Sequence, residues 1–422
     1  MRYSLAVGHS STALSLEEIV QGGLCIGCGL CRGVVGGEKI DMVLTPGGRE
    51  RPVARAALDA STLAHINAIC PGTRIEGAVP SDAPSDAVWG SAEHLAIGFA
   101  GDPAVRHRAS TGGVLTALGQ FLLASGRVKF ILHVAASQDA PLRTERRVSF
   151  DLASVLEGAG SRYGPAAPLV DFTALLERAE PFALIAKPCD IAAVRNLARI
   201  DPRVDQYLVY ALTFVCGGAS DLTKSEEVLS DLGILPEQLS SFRYRGNGNP
   251  GPTRFETRDG RAFELTYQEM WRDEATWRIQ PRCKICPDAI GESADLAASD
   301  VWPGGGPTGE DAGFNGIIVR TRRGLELYRA AVAAGAIIVE PRTLSFRDLD
   351  GFQPHQVRKK RAVWARLAGM RAAGLPVPET HNLRLTECAR MNTPAENLAE
   401  ARGARRRAKQ GVLSEPPAVK RS

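Results

Sequence analysis

The feature that most constrains this chain is Arg282-Cys283-Lys284-Ile285-Cys286-Pro287-Asp288, a C-x2-C pair in a basic turn closed by proline. Two thiolates at this spacing reach one metal centre but supply only half of a four-thiolate coordination set. Their partners must come from elsewhere. Cys189, in Ala186-Lys187-Pro188-Cys189-Asp190, and Cys216, in Phe214-Val215-Cys216-Gly217-Gly218, each close an apolar run that reads as a buried strand. Open α/β sheets place their chemistry at the carboxyl ends of strands. Taken singly, either residue fits a buried, inert cysteine. The later pair needs two more ligands and finds these two.

Nine cysteines in a chain with no visible secretory signal point to metal or redox chemistry, not disulfides. Cys25, Cys28 and Cys31 form C-x2-C-x2-C, the spacing that places three thiolates at three corners of a cubane, with Gly27 and Gly29 letting backbone N–H groups approach sulfur. Two-cluster ferredoxins continue with Cys-Pro after three residues. Here Val35 holds that place, and Cys70-Pro71 is the remote candidate. Ile40 to Leu44 and Arg51 to Val53, around Pro46-Gly47-Gly48, read as a hairpin that brings this fourth ligand back. Four thiolates favour [4Fe–4S] over a structural zinc knuckle, which normally pairs two C-x2-C units. Cys388 stands alone.

Length and composition, 422 residues with 44% hydrophobic, allow a large core and two domains with appendages. The net charge of +4 gathers in the last stretch, where Arg402, Arg405, Arg406, Arg407, Lys409, Lys420 and Arg421 cluster. The near-neutral body argues against a nucleic-acid groove. No run of 18 apolar residues exists and Met1-Arg2-Tyr3-Ser4 opens no apolar leader. The expectation is a cytoplasmic protein without a membrane span. The tail beyond 399 reads as disordered.

Along the chain, Ser15 with Glu18 caps a first helix. Residues 78–91, opening with Ala78-Val79-Pro80-Ser81-Asp82-Ala83-Pro84-Ser85-Asp86, are small, polar and rich in proline, marking a linker or domain edge. Leu95 to Ala100 reads as a strand, Ser110-Thr111-Gly112-Gly113 opens a helix, and Val128 to Val134 returns as a strand. The alternation gives an α/β (α+β) class. Backbone N–H groups at the Gly-Gly helix start suit a phosphate or flavin edge, although close helix packing explains the glycines equally. Gly160-Ser161-Arg162-Tyr163-Gly164-Pro165 is a polar turn. Arg243 and Arg245 flank Tyr244 in a glycine-rich loop that either neutralises an anion or forms a solvated basic hairpin. Gly304-Gly305-Gly306-Pro307-Thr308-Gly309 fits G-x-G-x-x-G by accident, because Pro307 breaks the helix a dinucleotide fold requires. No nucleotide-hydrolysis loop is present. Lys359-Lys360-Arg361 and the helix running to Gly374 read as a basic surface helix.

Taken in order, Ser110-Thr111-Gly112-Gly113, Gly160-Ser161-Arg162-Tyr163, Lys187-Pro188-Cys189, Cys216-Gly217-Gly218, Arg243-Tyr244-Arg245-Gly246, Cys283-Lys284-Ile285-Cys286, Ala294-Asp295 and Gly374-Leu375-Pro376-Val377-Pro378 resemble the coenzyme F420 hydrogenase/dehydrogenase beta subunit family. That family includes 7-hydroxymethyl chlorophyll a reductases and ferredoxin-dependent divinyl chlorophyllide 8-vinyl reductases. The resemblance spans about residues 15–380. It implies an iron–sulfur flavoprotein with FAD held without a Rossmann motif and a [4Fe–4S] cluster on Cys189, Cys216, Cys283 and Cys286. A second cluster follows from the ferredoxin-like amino-terminal module on Cys25, Cys28, Cys31 and Cys70. Flavin contacts fall to Ser110, Thr111, Gly112, Gly113, Ser161, Arg162 and Tyr163, with Arg243 and Arg245 as anion-binding candidates. His107, Tyr163 and Lys187 are candidate proton donors. Thr111 stands where a second serine is common. Asn249 replaces a tryptophan where a substrate ring could pack, and Ile26-Gly27 replaces the polar residue that pigment reductases carry after the first cysteine.

The expected organisation is a ferredoxin-like two-strand and loop module over 1–85, a mixed-sheet FAD and [4Fe–4S] domain over 86–355, a helical extension over 356–398 and a basic disordered tail over 399–422. The expected function is an oxidoreductase passing electrons between ferredoxin-like carriers and coenzyme F420 or a conjugated organic substrate through FAD. A non-catalytic electron-transfer subunit of a larger complex is the alternative. Expected partners are ferredoxin or a partner oxidoreductase subunit and a small-molecule substrate, with homo-oligomers possible in principle and no nucleic acid.

Overall fold

Side chains that alternate between two buried faces account for the central layer. In Phe130–Ala136, Phe130 and Leu132 enter one apolar cluster and Ile131 enters another; in Phe182–Ala186, Phe182, Leu184 and Ala186 go one way and Ala183 the other. Strands apolar on both faces must be covered on both. The computed structural model, which describes residues 13–79, 82–271 and 274–421, assembles eight strands into one sheet. They are β1 His94–Ala100, β2 Phe130–Ala136, β3 Thr144–Ser149, β4 Phe182–Ala186, β5 Leu208–Phe214, β6 Leu296–Asp300, β7 Asn315–Val319 and β8 Ile337–Thr343. The order is β8-β1-β7-β6-β5-β4-β2-β3. The central β6, β5, β4 and β2 run parallel, and antiparallel pairs join the flanks. This is the mixed α/β architecture expected from the sequence. Pairing of Leu212 with Ile185 and of Thr213 with Ala186 sets the carboxyl ends of β4 and β5 side by side, which brings Cys189 and Cys216 to one edge.

The amino-terminal segment forms the expected elements. Ser15 and Glu18 close a capping box on helix Leu16–Gln21, and Ile40–Leu44 pairs antiparallel with Glu50–Ala54. Its apolar residues, however, are shared with distant parts of the chain. Cys28, Leu30 and Ile69 join Phe130, Phe182 and Leu184 on one face of the sheet. Leu16, Ile19, Leu24 and Cys25 join Val363, Leu367, Met370 and Leu413 from the other end of the chain. A parallel ribbon of Arg74–Glu76 with Glu379–His381 joins the two termini by backbone as well.

Two expectations are corrected by this packing, and a third segment takes a defined shape. The tail beyond 399 is not disordered: Pro394–Lys409 is a helix capped by Thr393 and Glu396, with Ala404 buried, and the chain beyond it carries buried Leu413 and Glu415. The helix Pro354–Arg371 is not a surface helix, since Val357, Val363, Ala365 and Leu367 are buried and even Lys360 is 4% exposed, paired with Glu292 at 2.6 Å. The linker region carries the short ribbon Ser85–Asp86 with Gly90–Ser91, and Trp89 is fully buried with its indole N–H on Asp350. Met1 to Ser4 and Pro80-Ser81, read above as start and linker, lie outside the described residues. Gly304-Gly305-Gly306 forms a short turn after β6 and opens no nucleotide-binding helix, as the sequence indicated.

After the last helix the chain returns as a strap over the amino-terminal loop. Gly23, at φ +67°, lies so close to the Leu413 carbonyl that a Cβ there would meet it at 2.2 Å, a place only glycine fits. Glu415 accepts from Arg51 Nε and Nη2 at 2.8 Å each, and Arg51 Nη2 also donates to Gln280 at 3.0 Å. Both partners are almost wholly buried. Removing one partner strands the other charge away from water, which costs about 3–5 kcal/mol. Glu415→Ala is therefore expected to lower the denaturant midpoint by that equivalent; an unchanged midpoint would remove the strap from the account of stability.

Candidate functional site

The second set of cysteines is assembled from three places. Cys189 sits in the first turn of helix Pro188–Ala198 directly after β4, Cys216 follows β5, and Cys283 and Cys286 occupy and follow the short helix Pro281–Lys284. All four line one small cavity with Lys187, Arg282 and Lys359. The sequence expectation that these residues meet holds in the structure. In the amino-terminal loop, Cys25, Cys31 and Cys70 act on one another electrostatically, as do Cys28, Cys31 and Cys70. None of the cysteines is in a disulfide. Cys388 stands apart, buried, with its thiol on the Ala87 carbonyl at 3.0 Å.

Burial is the main influence on these thiols. It pushes Cys25 up to about 11 against the opposing pull of Arg51, and Cys216 up to about 12 with the neighbouring Cys283 adding to the rise. Cys28 and Cys189 are also held well above the ordinary thiol value by burial, with Asp190 contributing to both. Such thiols ionise only when a metal or cation takes up the charge. Backbone N–H groups already point at sulfur: Gly27 N to Cys25 at 3.3 Å, Gly72 N to Cys70 at 3.3 Å and Ala219 N to Cys283 at 3.4 Å. Gly29, singled out for the same role, instead caps helix Leu30–Val35 at φ +81°.

No group of three or more His, Cys, Asp or Glu among the described residues closes tightly enough to hold a single metal ion. A cubane takes one thiolate at each of four irons, so its ligands surround a volume instead of converging on a point. Cations beside each set, the buried Arg51 near Cys25 and the partly exposed Lys187 near Cys189, also suit an anionic four-thiolate group. The residues fit such a group.

The two sites are neighbours. Ile26, between Cys25 and Cys28, lines the cavity of the second set. Arg282, next to Cys283 and buried, donates to the carbonyl of Pro71, next to Cys70, at 3.0 Å. Asp190 pairs with Lys187 at 2.8 Å and is 1% exposed. Sequence reasoning missed both Arg282 and Asp190 as bridging residues, because the proximity of two remote cysteine motifs is not written in either.

A larger cavity of about 900 Å³ opens beside Cys216 and Cys283, which line it as well. Pockets of about 300–1,000 Å³ hold bound small molecules and cofactors. Ser110, Thr111, Gly113, Ser161, Arg162, Tyr163, Lys187 and Arg245 all line it. Arg245 fastens these segments together: Nη2 donates to the Ser110 carbonyl at 2.6 Å, Nη1 to the Tyr163 hydroxyl at 3.2 Å and to Asp300 at 3.2 Å. Its guanidinium lies 4.5 Å from the centre of the Trp302 ring. Ser161 N donates to Ser110 Oγ at 2.6 Å. Gly113, at φ +76°, caps helix Val114–Ala124, whereas Gly112 is packed against Asn315 and does not line the cavity.

Other candidates are placed elsewhere. Arg243 and His107 do not line the cavity, and the His107 carbonyl accepts from Gly248 N at 3.1 Å. Arg162 reaches the cavity but spends its donors on the carbonyls of Pro141, Leu142, Arg143 and Phe242. Asn249 is buried against Asp311 at 2.6 Å, away from the cavity where a substrate ring had been expected. Trp271, Trp277, Trp302 and Tyr267 supply an aromatic wall that the sequence reading missed. A signal was present: three of the chain's five tryptophans lie between 271 and 302, on either side of the C-x2-C pair.

Residues 96–173 match the amino-terminal model of the coenzyme F420 hydrogenase/dehydrogenase beta subunit, and residues 179–345 match the carboxyl-terminal model of the same protein. The chain belongs to this family. Among curated relatives, the beta subunit of F420-dependent formate dehydrogenase 1 from Methanococcus maripaludis is 26% identical over 249 residues, covering 56% of this chain and 59% of that protein. The beta subunit of the F420-dependent formate dehydrogenase of Methanocaldococcus jannaschii is 24% identical over 245 residues, 57% and 59% of the two chains. The F420-reducing [NiFe] hydrogenase complex of Methanosarcina barkeri contains a chain with the same fold, at a TM-score of 0.52 and 19% identity, covering 66% of this chain and 93% of that one. The match thus spans about three fifths of the curated relatives. Cys189, Cys216, Cys283 and Cys286 fall within the family-matched region, and Cys25, Cys28, Cys31 and Cys70 lie before it. Among the described residues, no helix is long and apolar enough to cross a membrane.

His133 on β2 also lines the large cavity, bonded through Nε2 to Ser149 Oγ at 2.8 Å, and burial presses its pKa down to about 4. The unfolded chain gains a proton below about 6.5 while the folded chain does not, so stability falls as pH drops from about 6.5 to 4 and levels off below that. The loss amounts to roughly 3 kcal/mol. Paired urea titrations of wild type and His133→Gln across this window should differ in slope; parallel curves would contradict the assignment.

Proposed function

We propose that this chain is an iron–sulfur flavoprotein oxidoreductase that passes electrons between a one-electron protein carrier and a two-electron partner, coenzyme F420 or a conjugated organic compound. The observation that carries the proposal is the shared wall: Cys216 and Cys283 line both the four-cysteine cavity and the 900 Å³ cavity, so a group held by these thiols adjoins whatever fills the larger space. FAD and two [4Fe–4S] clusters, when bound, supply the exchange between single electrons and electron pairs.

The chain's own residues have definable tasks. Cys189, Cys216, Cys283 and Cys286 would hold one cluster, and Cys25, Cys28, Cys31 and Cys70 the other. Arg51, Lys187 and Arg282 offset the negative charge of the thiolates. In the larger cavity, Arg245 fixes Ser110, Tyr163 and Asp300 in one frame beside the start of helix Val114–Ala124, whose first N–H is held by Asn315 Oδ1 at 3.2 Å. Trp271 and Trp302 exclude water from its aromatic part. Tyr163 and Lys187 line the same space and are the two remaining proton-donor candidates. His107 is not.

The curated relatives carry the word subunit in their names, which favours a second reading, an electron-transfer subunit of a larger dehydrogenase. The volume of the open cavity favours a chain with a substrate of its own. Titration of the isolated protein with reduced deazaflavin and with reduced ferredoxin separates the two: reduction by both, with turnover of an added organic acceptor, supports the enzyme, and reduction without turnover supports the electron-transfer role.

Anaerobic purification followed by an optical spectrum and counts of iron, sulfide and flavin tests the core of the proposal. The expected result is about eight irons and one flavin per chain. Cys189→Ser and Cys28→Ser should each remove about half of the iron, and Arg245→Leu should release flavin while iron stays. Colourless, zinc-containing protein would end the redox interpretation.

A further inference from the structure

The last helix, Pro394–Lys409, carries a row of cations that nothing among the described residues answers. Arg402, Arg405, Arg406 and Lys409 are exposed, and among the described residues none of them forms an ion pair. The helix's two glutamates are engaged elsewhere, Glu396 in the amino-terminal cap and Glu400 with Arg366 of the neighbouring helix at 2.9 Å. Like charges three and four residues apart destabilise a helix by a few tenths of a kcal/mol per pair. The final cations favour the negative end of the helix dipole, but Arg402 lies two turns before that end, beyond the reach of the effect.

Geometry makes the row a surface rather than a pocket. Leu398, Arg402, Arg405 and Lys409 recur at helical spacing along one stripe, and Leu398 is 49% exposed. The four cations span about 10 Å of helix. None of them lines the 900 Å³ cavity, so a small anion bound there does not reach them. At its carboxyl end the helix adjoins both cysteine sites. Arg407 acts electrostatically on Lys284, the residue between Cys283 and Cys286, and beyond the helix Leu413 and Glu415 lie on the Cys25 loop at Gly23 and Arg51. Exposed cations beside an apolar residue suit a partner surface of opposite charge, which steers association and gives it a strong salt dependence.

We propose that the stripe Leu398-Arg402-Arg405-Lys409, with Arg406, is the docking surface for a small, acidic one-electron carrier protein. The helix lies outside the region matched to the family, so the surface belongs to this chain's own extension. Negative charge on the partner is required by the row of unanswered cations, and proximity to both cysteine sites makes a redox carrier the fitting occupant. This assignment rests on the proposed function for the carrier's chemistry, whereas the binding surface itself depends only on the helix.

The test uses the full-length protein as purified and a plant-type acidic ferredoxin as probe, with binding followed by titration calorimetry at several ionic strengths. Binding is expected at low salt and should weaken at least tenfold between 50 and 200 mM salt (on the order of the losses several screened charge pairs give). The triple variant Arg402→Glu, Arg405→Glu, Arg406→Glu should weaken it by roughly tenfold or more, and Arg402→Gln, Arg405→Gln, Arg406→Gln by less. Thermal melts identify any variant that fails to fold, in which case carbodiimide cross-linking of wild type to the ferredoxin, mapped to Lys409, supplies the same answer. Basic cytochrome c should not bind. The docking surface is overturned if the charge reversal leaves ferredoxin affinity unchanged, if cross-links map away from the last helix, or if a duplex oligonucleotide binds as tightly as the ferredoxin. Ferredoxin binding by protein that holds no iron would leave the surface standing and defeat the proposed function, so the two failures are distinct.

Discussion

Bringing eight thiols into two neighbouring sites obliges the chain to place positive charge beside them, and much of the remaining architecture serves that requirement. Burial alone raises the thiols far above their ordinary range. A sheet cannot place a guanidinium in such a position unaided, because a buried cation needs carboxylates and carbonyls arranged around it. Arg51 is met by Glu415 and Gln280, Arg282 by the Pro71 carbonyl, and Lys187 by Asp190. Each of these contacts spans separate parts of the fold except the last, which is local. The charge balance of the cysteine sites and the long-range connectivity of the chain are thus largely the same set of interactions.

This explains why the two ends of the chain do not form independent domains. The amino-terminal segment has helices of six to ten residues, too short to be stable alone. Its apolar residues find cover on one face of the β-sheet and against the carboxyl-terminal helices. The parallel pairing of Arg74–Glu76 with Glu379–His381 closes the arrangement through backbone bonds. The family-matched region therefore carries a second layer made from both termini together, and removal of either end would expose apolar surface on the other.

What could be read from the sequence follows the range of the interactions involved. Cys25, Cys28 and Cys31 are fixed by local spacing, and β4 and β5 by apolar runs that end at Cys189 and Cys216. The meeting of Cys189 and Cys216 with Cys283 and Cys286 could be inferred only because a pair of thiolates is an incomplete set. The tail was misread because its composition is basic and polar, and one leucine and one glutamate, Leu413 and Glu415, decide its fate. Lys360 looked like a surface residue because its partner Glu292 lies 68 positions away. Gly112 illustrates the opposite error: a glycine taken for ligand binding is needed for contact with the backbone at Asn315.

The relation between the two cavities bears on how far function can vary within this fold. Cys189 and Cys216 have little freedom, since their positions are tied to the register of β4 and β5, while Cys283 and Cys286 come to them on the separate turn around helix Pro281–Lys284. The larger cavity is bounded differently, with aromatic side chains from Tyr267, Trp271 and Trp302 and the imidazole of His355 on segments outside the sheet. Loops and helix starts tolerate substitution better than paired strands. In the glycine-rich loop, Arg245 reaches the cavity while Asn249, four residues on, is held outside it by Asp311. The aromatic side of the larger cavity can therefore vary without disturbing the thiol sites, whereas its shared wall at Cys216 and Cys283 cannot.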